Sequence, residues 1–309
     1  MDDAVSGSNI FFTTLLGVRD VFAVKLLVKS LREFGGHFRD AHVYIYSSLS
    51  LKDLGFEWDE GTTILPIALD EPLRSYPFAY KVFAASKIVA DIKYLPQRII
   101  WLDPSAILLK VPELFNPEDA FDIALRPVHV RNVGASINQK IDGYWEKIYD
   151  EVELDYSKLR PVRTYVDQEE ILPYFNCGMY SIKGENELLN SWWRSFRRLA
   201  EDRHFQDCIC TSFQQRLFLH QSIFSALVCK VIPYEKVFIL PREYGYPLHF
   251  HARLLSEKRH VGMDEVAVML GYREDISDEE RHALFKKSTG KLREWLIENA
   301  IEKNEALSS

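Results

Sequence analysis

The order in which strand-like and helix-like patterns alternate over the first half of this chain leaves few folds open to it. Asn9 to Leu16 is an apolar, threonine-containing run of strand length. From Asp20 to Phe34 the pattern changes: Phe22, Leu26, Leu27, Leu31 and Phe34 recur at helical spacing, and Gly35-Gly36 supplies a stop. His42 to Tyr46 alternates as a strand does, and Thr62 to Ile67 is a second candidate whose end Pro66 makes ragged. Phe78, Val82, Phe83, Ala85, Val89 and Ile92 form one helical stripe, closed by Pro96. Arg98 to Leu102 is almost wholly apolar, which suits a strand buried on both faces of a parallel sheet, and Phe121 to Leu125 reads as a further strand. This β-α-β-β-α-β order predicts an open, mostly parallel α/β sheet flanked by helices. Ligands of such sheets bind outside the carboxyl ends of the strands. Thr13-Thr14-Leu15 and Asp103 fall at those ends.

The second half is less regular. A helix is expected near Ile141 to Val152, and Pro173 to Ile182 is strand-like with a small-residue break at Cys177-Gly178. Leu188, Leu189, Trp192, Trp193, Phe196 and Leu199 mark an amphipathic helix, with the tryptophans read as core. Another helix covers roughly His220 to Cys229. Ser277 with Glu280 forms a capping box that opens a C-terminal helix running to about Ile301. No repeat, low-complexity stretch or linker interrupts the chain. One domain over 1–309 is the simplest partition, with a nucleotide-binding half at about 9–125, a sugar and acceptor half at about 126–262, and a C-terminal helix at about 277–302.

Composition narrows the function. A formal net charge of -7 with no long basic run argues against a nucleic-acid partner. Cys177, Cys208, Cys210 and Cys229 contain no C-x-x-C pair, so they read as reduced thiols rather than a zinc or disulfide framework. Met1 to Ser8 is acidic and polar, unlike a signal peptide, and no run approaches the ~18 apolar residues of a membrane span. The expectation is a soluble cytoplasmic protein. No G-x-G-x-x-G follows the first strand, and neither G-x-x-x-x-G-K-[ST] nor G-x-S-x-G is present. Those absences argue against a Rossmann dehydrogenase, a P-loop NTPase and a nucleophile-elbow hydrolase.

Several landmarks occur in a telling order: Thr14-Leu15 ending the first strand, Tyr80-Lys81 opening a helix, Ile99-Ile100-Trp101-Leu102-Asp103 ending a strand, Phe175-Asn176-Cys177-Gly178, His220-Gln221, and Leu240-Pro241 before Tyr244. The set spans about residues 9 to 260 and resembles the glycogenin-like, family 8-type glycosyltransferases, whose fold is the Rossmann-like GT-A fold with a central, mostly parallel mixed sheet. The resemblance implies transfer of a sugar from a nucleotide-diphosphate sugar, a UDP-sugar before a GDP-sugar, to a hydroxyl acceptor. It implies that Thr14 and Leu15, with Thr13 beside them, meet the nucleotide, and that Lys81 reaches the diphosphate. Asp103 would open the D-x-D that holds Mn²⁺ or Mg²⁺ on the donor, with Ser105 at its third position. Asn176 and Gln221 would meet sugar.

The chain departs from that pattern in two places. Asp103-Pro104-Ser105 lacks the second carboxylate, and His220-Gln221 stands where the family has Asp-Gln. A hydroxyl ligates a hard dication only weakly. Three readings follow: metal held through Asp103, a histidine and the diphosphate; metal-independent neutralisation by Lys81, Arg126 or Arg131; or a protein that binds nucleotide or sugar without turnover. His249 and His251 would share a face if their segment were a strand, and His251 is the candidate metal ligand from that pair. His260-Val261-Gly262 resembles the family's H-x-G segment more closely, while the plainer alternative is that all three are surface or hydrogen-bonded histidines. Residue-level alternatives stand beside the functional ones: Asp103 as a helix N-cap with Pro104 at the first helical position, Lys81 as a solvated helix residue, Asn176 as turn chemistry, Gln221 as a cap. An inverting enzyme would need a general base, for which Asp122, Asp142, Asp167, Glu169 and Glu170 are candidates.

Overall fold

The computed structural model describes residues 8–50, 58–271 and 276–301. Strands β1 (Asn9–Leu15), β2 (His42–Ser47), β3 (Thr62–Pro66) and β4 (Arg98–Leu102) lie where the apolar runs place them. Helices α1 (Val21–Phe34) and α2 (Ala79–Asp91) carry the two crossovers between them. Beyond the short β5 (Ile107–Leu108) come β6 (Ile123–Pro127), α3 (Gly143–Glu151), the small hairpin β7 (Val162–Arg163) and β8 (Glu170–Ile171), and the long β9 (Phe175–Lys183). Helices α4 (Leu188–Glu201) and α5 (Phe213–Val231) follow, then β10 (Val237–Ile239), β11 (Tyr244–Pro247) and β12 (Val268–Leu270). Two short helices, α6 (Asp278–Lys286) and α7 (Gly290–Leu296), close the described chain.

Seven strands form one sheet in the order β10-β6-β9-β4-β1-β2-β3. Every neighbouring pair is parallel except those made by β9, which runs antiparallel to both β4 and β6. The β1–β4 pairing is the reversal point of the strand order, with β2 and β3 on one side and β9 on the other, which is where an open α/β sheet forms its ligand crevice. Side-chain alternation divides the core. Ile10, Phe12, Ile99 and Trp101 pack under α2, α4 and α5, whereas Phe11, Leu15, Ile100 and Leu102 pack under α1. A second sheet, β11-β12-β5, extends the α1 face and is covered in turn by Phe285, Trp295 and Leu296.

Four expectations need correction. Helix α5 begins seven residues earlier than the sequence pattern suggests, because Ser212 and Gln215 form a reciprocal capping box, so His220 and Gln221 lie mid-helix rather than at its start. Cys177-Gly178 does not break β9; the strand continues, and the irregularity is a register shift in its pairing with β6. The C-terminal helix is interrupted: Thr289 donates its amide and hydroxyl to Asp264, Ser288 accepts from the Met263 amide, and Gly290 takes φ +48. The segment holding His249 and His251 is a 3₁₀ turn, Leu248–Arg253, so the strand argument for a shared face lapses.

Candidate functional site

The site begins with the alternation of β4. Trp101 faces α2, so Asp103, two residues on, faces it too. The Trp101 indole N–H donates to Asp103 Oδ1 at 3.0 Å, and Lys81, on the first turn of α2, donates its ammonium to the same oxygen at 2.7 Å. The Lys81 side chain is only 5% exposed and that of Asp103 is 30% exposed. Burial drives Lys81 toward its neutral form, but the Asp103 carboxylate outweighs it and holds the ammonium above its ordinary pKa. Lys81 is therefore a buried cation aimed at the strand ends, not a solvated helix residue. Asp103 is no helix cap: its carbonyl accepts from the Ala106 amide at 2.8 Å to close a turn leading into β5. Its own amide donates to the Gly178 carbonyl at 2.8 Å. A Cβ at position 178 would lie 3.0 Å from Asp103 Oδ2 and 2.9 Å from Asn176 Oδ1, so glycine is what allows β9 to come this near.

Two cavities flank the Lys81–Asp103 pair and share Phe78, Lys81, Asp103 and Ser105 as a common wall. One, of about 430 Å³, is lined by Thr14, Leu16, Arg19, Ala23 and Trp101. The other, of about 290 Å³, is lined by His129, Asn132, Asn176, Cys177, Gln221 and His249. Together they make one two-part cleft at the carboxyl ends of β1 and β4. A cavity of similar size beside Tyr234, Val228 and Leu154 lies at the β10 edge, is mostly apolar, and contains none of the residues expected to meet nucleotide, sugar or metal.

Of the residues expected in a site, Thr14, Lys81, Asp103, Ser105, Asn176 and Gln221 all reach this cleft. Thr13 and Leu15 do not line it: both are buried, with Leu15 in the α1-side core. Asn176 Oδ1 accepts from the Gly178 amide at 2.7 Å, and Gln221 Oε1 accepts from the Cys177 amide at 3.3 Å, so α5 and β9 brace each other across the second cavity. Burial pushes the Cys177 thiol up to about 12, against the pull of Lys81. His251 is turned away, its Nδ1 engaged by the Tyr246 hydroxyl at 2.7 Å, and His260 pairs with Glu265 at 3.3 Å; His249 is the histidine of that segment that faces the cleft. The five carboxylates considered as bases lie elsewhere. Asp122 bridges Lys183 and Lys236, Asp142 caps α3, Asp167 and Glu169 pair with Arg253 and Arg131, and Glu170 pairs with Arg163.

Sequence reasoning missed Phe78, His129 and Asn132. Phe78 has φ +58, a left-handed conformation that costs a bulky residue strain, and its half-exposed ring stacks on His220 at 4.3 Å. Asn132, at φ +47, is a second such residue on the cleft wall. Asparagine tolerates that conformation, so the strain in this wall is that of Phe78. The helical stripe absorbed Phe78 and so hid it. His129 follows the end of β6, is 7% exposed, and has no hydrogen-bond partner at either ring nitrogen among the described residues. Only knowledge of where β6 ends could have located it.

Residues 21–230, more than half of the chain, match the family described as the Rhodobacterales glycosyltransferase domain. The chain belongs to this glycosyltransferase family. No curated protein sequence matches it. Among solved structures, an active-site mutant of LgtC is 12% identical with a TM-score of 0.51, the match covering 93% of this chain and 98% of that one. The bifunctional glycosyltransferase WbbM is 9% identical with a TM-score of 0.50, over 97% of this chain and 52% of WbbM. Mouse xyloside xylosyltransferase 1 is 15% identical with a TM-score of 0.48, over 85% and 97%. At these identities the likeness concerns fold, and the fold is GT-A. No helix among the described residues of this glycosyltransferase is long and apolar enough to cross a membrane.

A GT-A fold implies a divalent metal at the D-x-D, and the donor set here does not fit one. The motif offers a single carboxylate, and two donors already converge on its Oδ1. Ser105 brings no charge, His251 is engaged elsewhere, and among the described residues no three His, Cys, Asp or Glu side chains converge on a common point. A dication on Asp103 would sit beside the buried Lys81 ammonium, with one carboxylate to serve both cations.

The buried histidines make stability depend on pH. Burial, then the nearby Arg126 and Lys81 respectively, hold the pKa values of His129 and His220 well below the ordinary 6.5. As pH falls through 6.5 the unfolded chain takes up protons that the folded chain refuses, so stability is lost, by about 1.4 kcal/mol per pH unit for each refused proton. Depressed carboxylates such as Asp122 act only lower, around their ordinary 3.8. The urea midpoint should therefore drop between about pH 6.5 and pH 5. A His129→Asn/His220→Asn double variant should show a flatter profile over that range; an unchanged slope would mean that neither histidine is neutral in the fold.

Proposed function

We propose that this glycosyltransferase moves a hexose from a UDP-sugar to a hydroxyl acceptor. The observation that carries the reading is the two-part cleft that meets at the Lys81–Asp103 pair. In this reading the nucleoside lies beside Thr14, Leu16 and Arg19, the diphosphate crosses Lys81, and the sugar enters the cavity of Asn176, Gln221, His129 and His249. Thr13 and Leu15 contribute through backbone alone, since their side chains are buried. The bond between the anomeric carbon and the diphosphate oxygen breaks, and its electron pair stays on the diphosphate. The acceptor oxygen bonds the anomeric carbon, and the acceptor proton is released with the diphosphate. In this reading the Lys81 ammonium faces the leaving oxygens as they gain charge, and a fixed cation in a water-poor cleft stabilises that charge more than water would. The partition at the Lys81–Asp103 wall supports the division into nucleotide and sugar halves, within one domain over 1–309.

A second reading has an observation of its own. The acid of the family's Asp-Gln pair is replaced by His220, which is buried, bonded to the Leu217 carbonyl and stacked beneath Phe78. A chain altered there could hold donor without turning it over. The two readings separate on incubation with UDP-glucose, UDP-galactose and GDP-mannose, with simple sugar acceptors, followed by proton NMR. Release of UDP with free or transferred hexose, lost in Lys81→Met, is the expected result. Nucleotide binding with every donor left intact would leave only the second reading.

A further inference from the structure

We propose that this chain handles its nucleotide-sugar without a divalent cation, with Lys81 standing where the family holds its metal and Asp103 acting as the positioning residue that fixes Lys81 there. The proposal rests on the donor-site reading above. Four observations carry it. First, Lys81 and Asp103 lie in the wall shared by the two cavities, at the strand end where the metal motif belongs. Second, Asp103 Oδ1 accepts from both Lys81 and the Trp101 indole, which fixes the carboxylate and so aims the ammonium. Third, the ammonium is held from several sides: by Asp103 at 2.7 Å, by the face of Trp101 at 5.1 Å and by that of Phe78 at 5.7 Å. An ammonium has three donors, and one on Asp103 leaves others for phosphate oxygens. Fourth, Ser105, in the position of the missing acid, faces both cavities and offers a hydroxyl donor to a phosphate, which a carboxylate could not.

The replacement is chemically coherent. A metal site gains its charge when the ion binds and loses it when the ion leaves. A lysine held by a carboxylate keeps its charge permanently, and burial alone would otherwise strip it. Asp103 thus keeps Lys81 protonated and pointed, while the phosphate meets the ammonium directly.

Calorimetric titration with UDP and GDP, in chelator and again in excess Mn²⁺, tests this. The expected result is binding whose dissociation constant changes by less than about twofold between the two conditions. Lys81→Ala should weaken it by about tenfold to a hundredfold, and Lys81→Arg should recover most of the loss. Asp103→Asn keeps an acceptor for Trp101 and removes the charge. It should weaken UDP binding equally in chelator and in Mn²⁺. Paramagnetic resonance of Mn²⁺ should show no more bound ion with protein and UDP than with UDP alone. Binding strengthened tenfold or more by Mn²⁺, with that gain abolished in Asp103→Asn, would overturn the proposal and leave the donor reading intact. No binding of either nucleotide in either condition would overturn both.

Discussion

Asp103→Ala should cost about 3–5 kcal/mol of folding stability, far more than a half-exposed turn residue normally does. The reason lies in its partner. Lys81 is 5% exposed, and with Asp103 gone its ammonium loses its counter-charge and keeps only a narrow contact with the cleft. The chain must then bury an unpaired cation or neutralise the lysine, and either is expensive. The Trp101 indole N–H loses its acceptor as well. The opposite change should be mild, because Asp103 is 30% exposed and keeps its bond from Trp101 when Lys81 becomes methionine. Combining the two substitutions should recover most of the loss from Asp103→Ala, since no charge is then left buried. Urea unfolding at neutral pH measures all three variants. Equal losses for the two single variants would mean that the pair is not buried in the asymmetric way described.

Trp192→Ala should cost a comparable amount, about 3–5 kcal/mol, through the cavity it leaves. Trp192 is fully buried against Phe224 at 4.8 Å and Tyr180 at 6.3 Å, and its indole donates to the His220 carbonyl at 2.7 Å. It therefore ties α4 both to the sheet and to the middle of α5, which carries His220 and Gln221 to the cleft. The neighbouring Trp193 is only partly buried, against Phe83 and Phe196, so Trp193→Ala should cost about 1–2 kcal/mol. Unfolding followed by circular dichroism compares the pair. A Trp193 variant as damaged as the Trp192 variant would contradict this account of the α4 packing.

How far the sequence could be read depended on the range of the interactions. The apolar run of β4 and the helical stripes of α1 and α2 are local patterns with long-range consequences, so the sheet and its crevice were visible in them. Thr14 and Asp103 are legible because each sits at a strand end that such a pattern marks, whereas Lys81 comes from the family resemblance alone. The helix start expected at His220 lies mid-helix, because the true start is set by the Ser212–Gln215 capping box and apolar residues such as Leu217 and Phe218 already belong to α5. Phe78 and His129 were hidden for a different reason. The left-handed backbone of one and the unpartnered ring of the other are properties of how β6, α2 and α5 meet. The histidines at 249 and 251 were assigned on a strand periodicity that the 3₁₀ turn does not have, and the turn presents His249 instead.

The central claim is that a nucleotide-sugar lies across the Lys81–Asp103 wall. A crystal structure of the chain with UDP bound tests it most directly. The account predicts the uracil in the cavity of Thr14, Leu16 and Arg19, the diphosphate within hydrogen-bond reach of the Lys81 ammonium, and the terminal phosphate pointing toward His129 and Gln221. UDP seated in another cavity, such as the one beside Tyr234 and Val228, with the cleft at Lys81 empty, would contradict it.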